Sequence, residues 1–417
     1  MEKTSGTHRT GRAKMKFVQT ALAGLTAVAA VAAIGLVSAP QQVAAAESLN
    51  VMSASGADRF AWILFAQAVS PSGNAQSPLE FENWKEQCDL QPLLCASSGA
   101  AAVKGGKGKV RHAHGSALGR HLMKATGVEL SATPSKIGCG GMNTAGFPPA
   151  APATNVTANA VFCEEVFVNE PEATFITKNK LTTLKGQQAY GNVTFPWDAL
   201  EIKVDWAPQS SFVKPFSCPS TTVYTEMIQF EGNKKPECYA MVGLHISSKV
   251  LPDWLWATFE PNEPLTNPNR CNGNLYNLCA DSWGTTSAAP YGPGQTPPQS
   301  AALASLMKAA KLPAAFSNYY LTASQTEHVV NGQPTQLGNS FVEFNAGVPP
   351  HQASCITCHN YAYAGTVNVG FPLNGWPNLG YACNKPGATA SCVPTYPGAS
   401  SWTSEDFSWL LGIMPKG

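Results

Sequence analysis

The twelve cysteines fall into two arrangements, and these limit the fold more than any other feature of the chain. Ten occur as sequence neighbours: Cys88 with Cys95, Cys139 with Cys163, Cys218 with Cys238, Cys271 with Cys279 and Cys383 with Cys392. Short separations make neighbour pairing the entropically cheapest closure, so the spacing predicts five local disulfides stapling loops that lack cores of their own. Such bridges persist outside the reducing cytoplasm. The other two cysteines, Cys355 and Cys358, stand just before His359 in the pentapeptide CITCH.

An export route is written at the N-terminus. Lys3, Arg9, Arg12, Lys14 and Lys16 precede an uncharged run from Phe17 to Val37, and the small residues Ala44 and Ala46 suit cleavage before Glu47. Residues 1–46 therefore read as a signal peptide and the protein as periplasmic or secreted, in a bacterium. The alternative is an uncleaved anchor, because the run is long enough to span a bilayer. Only in that case is a membrane a partner.

The 27 Lys+Arg against 26 Asp+Glu leave no basic footprint for nucleic acid. Removing the leader's five bases and one acid brings the balance to about −3. A 44 % hydrophobic share excludes a disordered chain, while 36 Gly and 32 Pro with only 13 % charged residues indicate a loop-rich protein. No GxSxG, nucleotide loop or calcium loop supports a hydrolase or a nucleotide-binding protein.

CITCH is the c-type haem attachment pattern. The chain's own frequencies, 12 Cys and 8 His in 417 residues, give about 0.007 such pentapeptides by accident. Cysteines at i and i+3 lie on one side of a helical turn, where both sulfurs can form thioethers with one porphyrin edge, and the adjacent histidine reaches the iron. The expected cofactor is one covalent haem c with its iron, bound through Cys355, Cys358 and the proximal ligand His359. Two other readings compete. A thioredoxin-like CxxC needs a strand before it and a helix after it in a βαβ setting, and the Gly- and Pro-containing stretch 345–354 does not supply that strand. A structural zinc site needs two more Cys or His ligands nearby, and Cys383 and Cys392 are better used on each other.

The hydrophobic period divides the mature chain into three regions. Residues 47–157 hold helices, one with Phe60, Ile63, Leu64 and Ala68 on its core face, another at Phe81 and Trp84, and a third at Leu118 and Leu122, around a basic loop at 97–114. In 158–299 the period turns to alternation. Leu200, Ile202, Val204 and Trp206 alternate with Glu201, Lys203 and Asp205 as a half-buried strand, and Val223–Phe230, Ala240–Ser247 and Trp254–Glu260 add others. Residues 300–417 form the haem-binding region, with helices at Ser300–Lys311 and Glu405–Met414. The fold class is α+β: an antiparallel sheet or sandwich, N-terminal helices and a short C-terminal helical region, in one body whose sheet helps to cover the haem.

GLHISSK (Gly243–Lys249), WLWATFE (Trp254–Glu260), SCITCHNYA (Ser354–Ala362), DFSWLL (Asp406–Leu411) and FPWDALEIKVDW (Phe195–Trp206) together resemble a family of exported bacterial monohaem c-type cytochrome-like proteins. The resemblance spans most of the mature chain and implies chemistry only at the haem motif. Pro261 stands where a histidine often follows the glutamate in that family, so no role of that histidine carries over.

Three functions follow from these residues. The first is single-electron transfer through the haem, with a redox partner protein or a small-molecule donor or acceptor. The second is a haem redox enzyme with an open distal side, for which Trp254, Trp256, Glu260, Lys249 and His245 supply polar and aromatic groups between positions 245 and 260. The third is a thiol-redox or structural CxxC protein without haem. The sixth iron ligand separates the first two. His245 is a candidate because strand alternation puts it opposite Leu244 and Ile246, with Gly243 beside it leaving room for a flat ring. Met414, which follows the last helix, is an alternative, and His328 and His351 come after it.

Overall fold

The described residues of the computed structural model are 53–75, 77–90, 111–113, 139–141, 157, 160–230, 235–262, 279–286, 298–331, 333–339, 353–360, 362–365 and 402–412. The leader, the helix expected at Leu118 and Leu122, His351, Met414, and Cys95, Cys271, Cys383 and Cys392 lie outside them. Among the described residues no helix is long and apolar enough to cross a membrane.

Helix α1 (Ala54–Ala68) begins where the Ser53 hydroxyl accepts from the amide of Gly56 at 3.1 Å, an N-cap that satisfies one of the first-turn donors. Its Phe60, Trp62, Leu64 and Phe65 are buried. A short 3₁₀ turn, Glu80–Asn83, buries Phe81 and leads into strand β1 (Lys85–Glu86). Strands β2 (Arg111–Ala113) and β3 (Cys139–Gly141) follow. The basic stretch 97–114, expected as a loop, therefore contributes three residues to a sheet, because β2 finds a parallel neighbour further along the chain.

Next come β4 (Val161–Val168), α2 (Glu170–Lys178), α3 (Leu184–Tyr190), β5 (Leu200–Pro208), β6 (Thr225–Phe230), β7 (Glu237–Ser248) and β8 (Leu255–Pro261). The last part holds α4 (Ala301–Ala309), β9 (Tyr319–Gln325), the hairpin β10 (Val329–Val330) and β11 (Gln333–Pro334), α5 (Cys355–His359), β12 (Tyr363–Gly365), β13 (Trp402–Ser404) and α6 (Trp409–Gly412). The protein is α+β.

Nine strands make one sheet, in which β1-β4-β5-β7-β6-β2 run side by side, β3 pairs with β4, and β8 links β7 to β9. All pairings are antiparallel except β2 with β6. The sheet thus joins strands from all three stretches, β1 to β3 from 47–157, β4 to β8 from 158–299 and β9 from 300–417.

One sheet face packs on α1. Leu200, Ile202, Val204 and Trp206 join Leu244, Ile246, Ala257, Phe259 and Leu321 in a core with Phe60 and Phe65. Phe259 meets Phe65 at 4.4 Å and Trp62 at 4.9 Å between ring centroids. Truncating one such ring to Ala costs about 3–5 kcal/mol. The opposite face was expected to meet solvent, since it carries Glu201, Lys203 and Asp205. It is covered instead: Asp205 is 0 % and Glu201 7 % exposed. A second apolar cluster of Val166, Val168, Ile176, Phe195, Trp254, Trp256, Leu337, Ile356, Leu410 and Leu411 borders those charges. That cluster brings α5, which is the CITCH segment, onto the polar face of the sheet.

The last helix is shorter than expected. Residues 405–408 form a turn in which Asp406 and Phe407 take φ of 50° and 70°, and α6 starts only at Trp409. Side chains larger than glycine pay about 1–3 kcal/mol each for such left-handed backbone, so tertiary contacts must hold them there.

Candidate functional site

Helix α5 is a single turn built for position rather than length. The Ser354 hydroxyl caps it by accepting from Thr357 N at 3.4 Å. Gln325, at the end of β9, grips the same turn from the sheet: its Oε1 accepts from Ile356 N at 3.0 Å and its Nε2 donates to Ser354 Oγ at 2.9 Å. Ile356 is buried in the second cluster, and Ser354 makes an isolated parallel bridge to Leu337. The Sγ of Cys355 lies 3.5 Å from the carbonyl oxygen of Leu337. Cys355, Cys358 and His359 are half-buried, whereas Ser354, Ile356 and Thr357 between and beside them are buried. The two sulfurs and the imidazole therefore share the open side of the turn.

His359 is fixed from two directions. Its ring packs on Trp256 of β8, with centroids 4.3 Å apart. Its Nδ1 lies 2.8 Å from the carbonyl oxygen of Phe407, which can only accept, so Nδ1 carries the proton and Nε2 is left with its lone pair. Burial pushes this imidazole down to about 3, against the raising effect of the Phe407 hydrogen bond, so it is neutral near pH 7.

The Phe407 carbonyl is aimed by the left-handed turn, which is clamped by an ion pair. Asp406 Oδ1 accepts from Lys249 Nζ at 2.6 Å, with both side chains buried, and Asp406 Oδ2 accepts from Phe195 N at 2.7 Å. Lys249 also donates to the carbonyl of Pro252 at 2.6 Å. Ser408 donates to Glu201 of β5. Burial, then the charge of Glu201, holds the Glu172 carboxyl of α2 well above its usual range.

His245 lies on the same sheet face. In β7 it sits opposite Lys203 of β5 and Thr258 of β8. Its Nε2 is 3.4 Å from Thr258 Oγ1, and Asn339 Nδ2 donates to that same hydroxyl at 2.9 Å. Burial, then Lys203 and His359, press its pKa well below the ordinary value. Lys203 itself pairs with Glu164 at 2.8 Å. The space beside Gly243 is not left for a flat ring: a Cβ there would meet Asn339 Nδ2 and Oδ1 at 3.1 Å and Asp205 Oδ2 at 3.2 Å. The glycine serves the approach of those two side chains instead.

Of the other residues singled out in the sequence, one borders the attachment turn and the rest fall elsewhere. His328 has its Nδ1 3.2 Å from Thr357 Oγ1, on the α5 helix itself. Glu260 meets the hydroxyl of Tyr320 at 3.4 Å. Trp254 is buried and immediately precedes β8, with a φ of 63°. Cys218 and Cys238 form a disulfide. Cys88, Cys163 and Cys279 are also disulfide-bonded, and Cys139 lies directly opposite Cys163 in the β3·β4 ladder. Among the described residues no three His, Cys, Asp or Glu side chains converge on a metal position, so a zinc site would have to draw on residues outside them.

Gln325, Phe407 and Asn339 were not legible as site residues, and Lys249 was named in the sequence without its pairing to Asp406. Ser354 was, in principle, because a serine just before a helical turn is an N-cap signal. No protein-family model, no curated protein and no solved structure matches the chain.

Proposed function

We propose that the protein is an exported c-type cytochrome that holds one haem through thioethers at Cys355 and Cys358, with His359 as proximal ligand, and passes single electrons. The observation that carries this reading is the hydrogen bond from His359 Nδ1 to the Phe407 carbonyl. A metal-binding histidine needs its other ring nitrogen tied to an acceptor, which fixes the tautomer and orients the ring. Here the acceptor is rigid, being a backbone carbonyl on a turn clamped by a buried ion pair. The donor set fits a haem c: two sulfurs at i and i+3, a neutral imidazole beside them, and an open side shared by all three.

The haem supplies the one-electron couple when bound. The chain's own residues do the rest. Ser354 and Gln325 hold the attachment turn on the sheet, Trp256 supports the flat side of the imidazole, and Phe407 keeps the proton on Nδ1. The resemblance of SCITCHNYA and DFSWLL to exported monohaem cytochromes points the same way, as does the N-terminal leader. The test is export in a host with c-type maturation machinery, followed by haem staining after denaturing electrophoresis. Wild type should keep the stain, and the double variant Cys355→Ala/Cys358→Ala should lose it. Alkylation of both thiols in correctly exported protein would overturn the proposal.

A further inference from the structure

We propose that His245 is the second axial ligand of the haem, making the iron six-coordinate between two imidazoles and the protein an electron carrier without a substrate position. The inference rests on the haem reading above and goes beyond it by deciding what stands on the far side of the iron.

Trp256, which carries His359, lies opposite Ser247, and Thr258 lies opposite His245. Two residues along a strand advance about 7 Å on the same face. His245 is therefore one strand across from Trp256 and one step further along the face on which His359 rests. With Nδ1 of His359 occupied by Phe407, Nε2 is the nitrogen that remains for iron.

Exposure tells the same story. Along β7 from Cys238 to Ser248 every residue is buried except His245, and across the face Cys355, Cys358 and His359 are likewise half-buried. The four groups of the proposed haem site are thus partly open, as are Lys203, Asn360 and Phe407 beside them.

The tether on His245 is also of the right kind. Among the described residues the hydrogen-bond contact of its ring is the Thr258 hydroxyl at 3.4 Å, the weak limit of a hydrogen bond. Thr258 already accepts from Asn339, so its own proton is available to the ring. A neutral imidazole held that loosely can exchange the contact for a metal at little cost.

The other candidates are spent or lie elsewhere. His328 is engaged with Thr357 on the proximal helix, and Lys203 is paired with Glu164. Met414 and His351 lie outside the described residues.

The experiment uses the full-length exported holoprotein, with haem retention checked first by staining. Low-temperature EPR and near-infrared magnetic circular dichroism of wild type should give a low-spin bis-histidine signature, and reduced wild type should bind carbon monoxide poorly. His245→Ala should turn high-spin and bind carbon monoxide readily. His245→Met, a gentler change should Ala fold badly, should shift the charge-transfer signature to histidine–methionine and raise the midpoint potential. A low-spin bis-histidine spectrum surviving in either variant, or a high-spin wild type, overturns the role of His245 while leaving the attached haem in place. Loss of haem stain from wild type overturns the haem reading itself, and this inference with it.

Discussion

His359 Nδ1 lies 2.8 Å from the carbonyl oxygen of Phe407, a contact that joins residues 48 positions apart in the chain. It couples the attachment turn to a strained segment, because Phe407 and its neighbour Asp406 both have left-handed backbone. The imidazole is therefore only as well placed as that turn is well clamped, and the clamp is open to test.

Lys249→Met should remove the clamp. It leaves the Asp406 carboxylate buried without its cation, which costs about 3–5 kcal/mol. Urea unfolding of the variant should show that loss, and the double variant Lys249→Met/Asp406→Asn, which removes the buried charge but keeps an acceptor for Phe195 N–H, should recover part of it. Equal stabilities for wild type and Lys249→Met would mean that the pair does not hold the turn.

Gln325→Ala should weaken the other side of the site. Ile356 N–H and the Ser354 hydroxyl each lose a buried partner, at about 1–3 kcal/mol per unsatisfied group. The variant should melt lower and yield a smaller stained fraction of exported protein, whereas a stained fraction equal to wild type would count against the grip.

Glu405 offers a pH test. It is fully buried, Oε2 has no hydrogen-bond partner among the described residues, and burial pushes its pKa up to about 9 despite the weak bond from Thr403. The folded state therefore binds this proton more tightly than the unfolded state does. Its contribution to stability is complete below the ordinary value near 4.5 and is lost progressively as pH rises towards 9. Glu405→Gln mimics the protonated acid, so it should stabilise by up to about 3 kcal/mol at pH 7 and by little near pH 4. Unfolding curves of both proteins at the two pH values check this, and a pH-independent difference would contradict it.

The disulfides give a covalent prediction. Non-reducing peptide mapping should find Cys218 joined to Cys238, and Cys163 joined to Cys139, the residue facing it across the ladder. Replacing the first pair by serine should cost about 3 kcal/mol for a closure across 20 positions. A crosslink from Cys163 to any other cysteine would refute the second pairing.

The strands most legible in the sequence were those with one apolar face. In β5, alternation separated Leu200, Ile202, Val204 and Trp206 from Glu201, Lys203 and Asp205, and the structure keeps that separation. What alternation cannot tell is whether a polar face meets water or a site. Here the polar face is covered by α5, the 405–408 turn and α2, and it carries the chemistry. Strand β4 was missed because VFCEEVFV is buried along nearly its whole length and shows no period. Strand β9 ends in Gln325, whose value lies in reaching the attachment turn 31 positions later, and no local pattern records that. The 405–408 turn read as helix because its apolar spacing continues into α6, whereas Lys249 and Phe195, more than 150 positions upstream, hold it in another shape. The attachment motif itself was fully legible, since its chemistry resides in three residues within five positions.

With thioethers at both Cys355 and Cys358, the exported protein should give a pyridine haemochrome spectrum with the band positions of a haem whose two vinyl groups are saturated, at one haem per chain, and a haem-bearing peptide that includes Cys355, Cys358 and His359. A spectrum with a vinyl group remaining, or a colourless protein with both thiols open to alkylation, would contradict it.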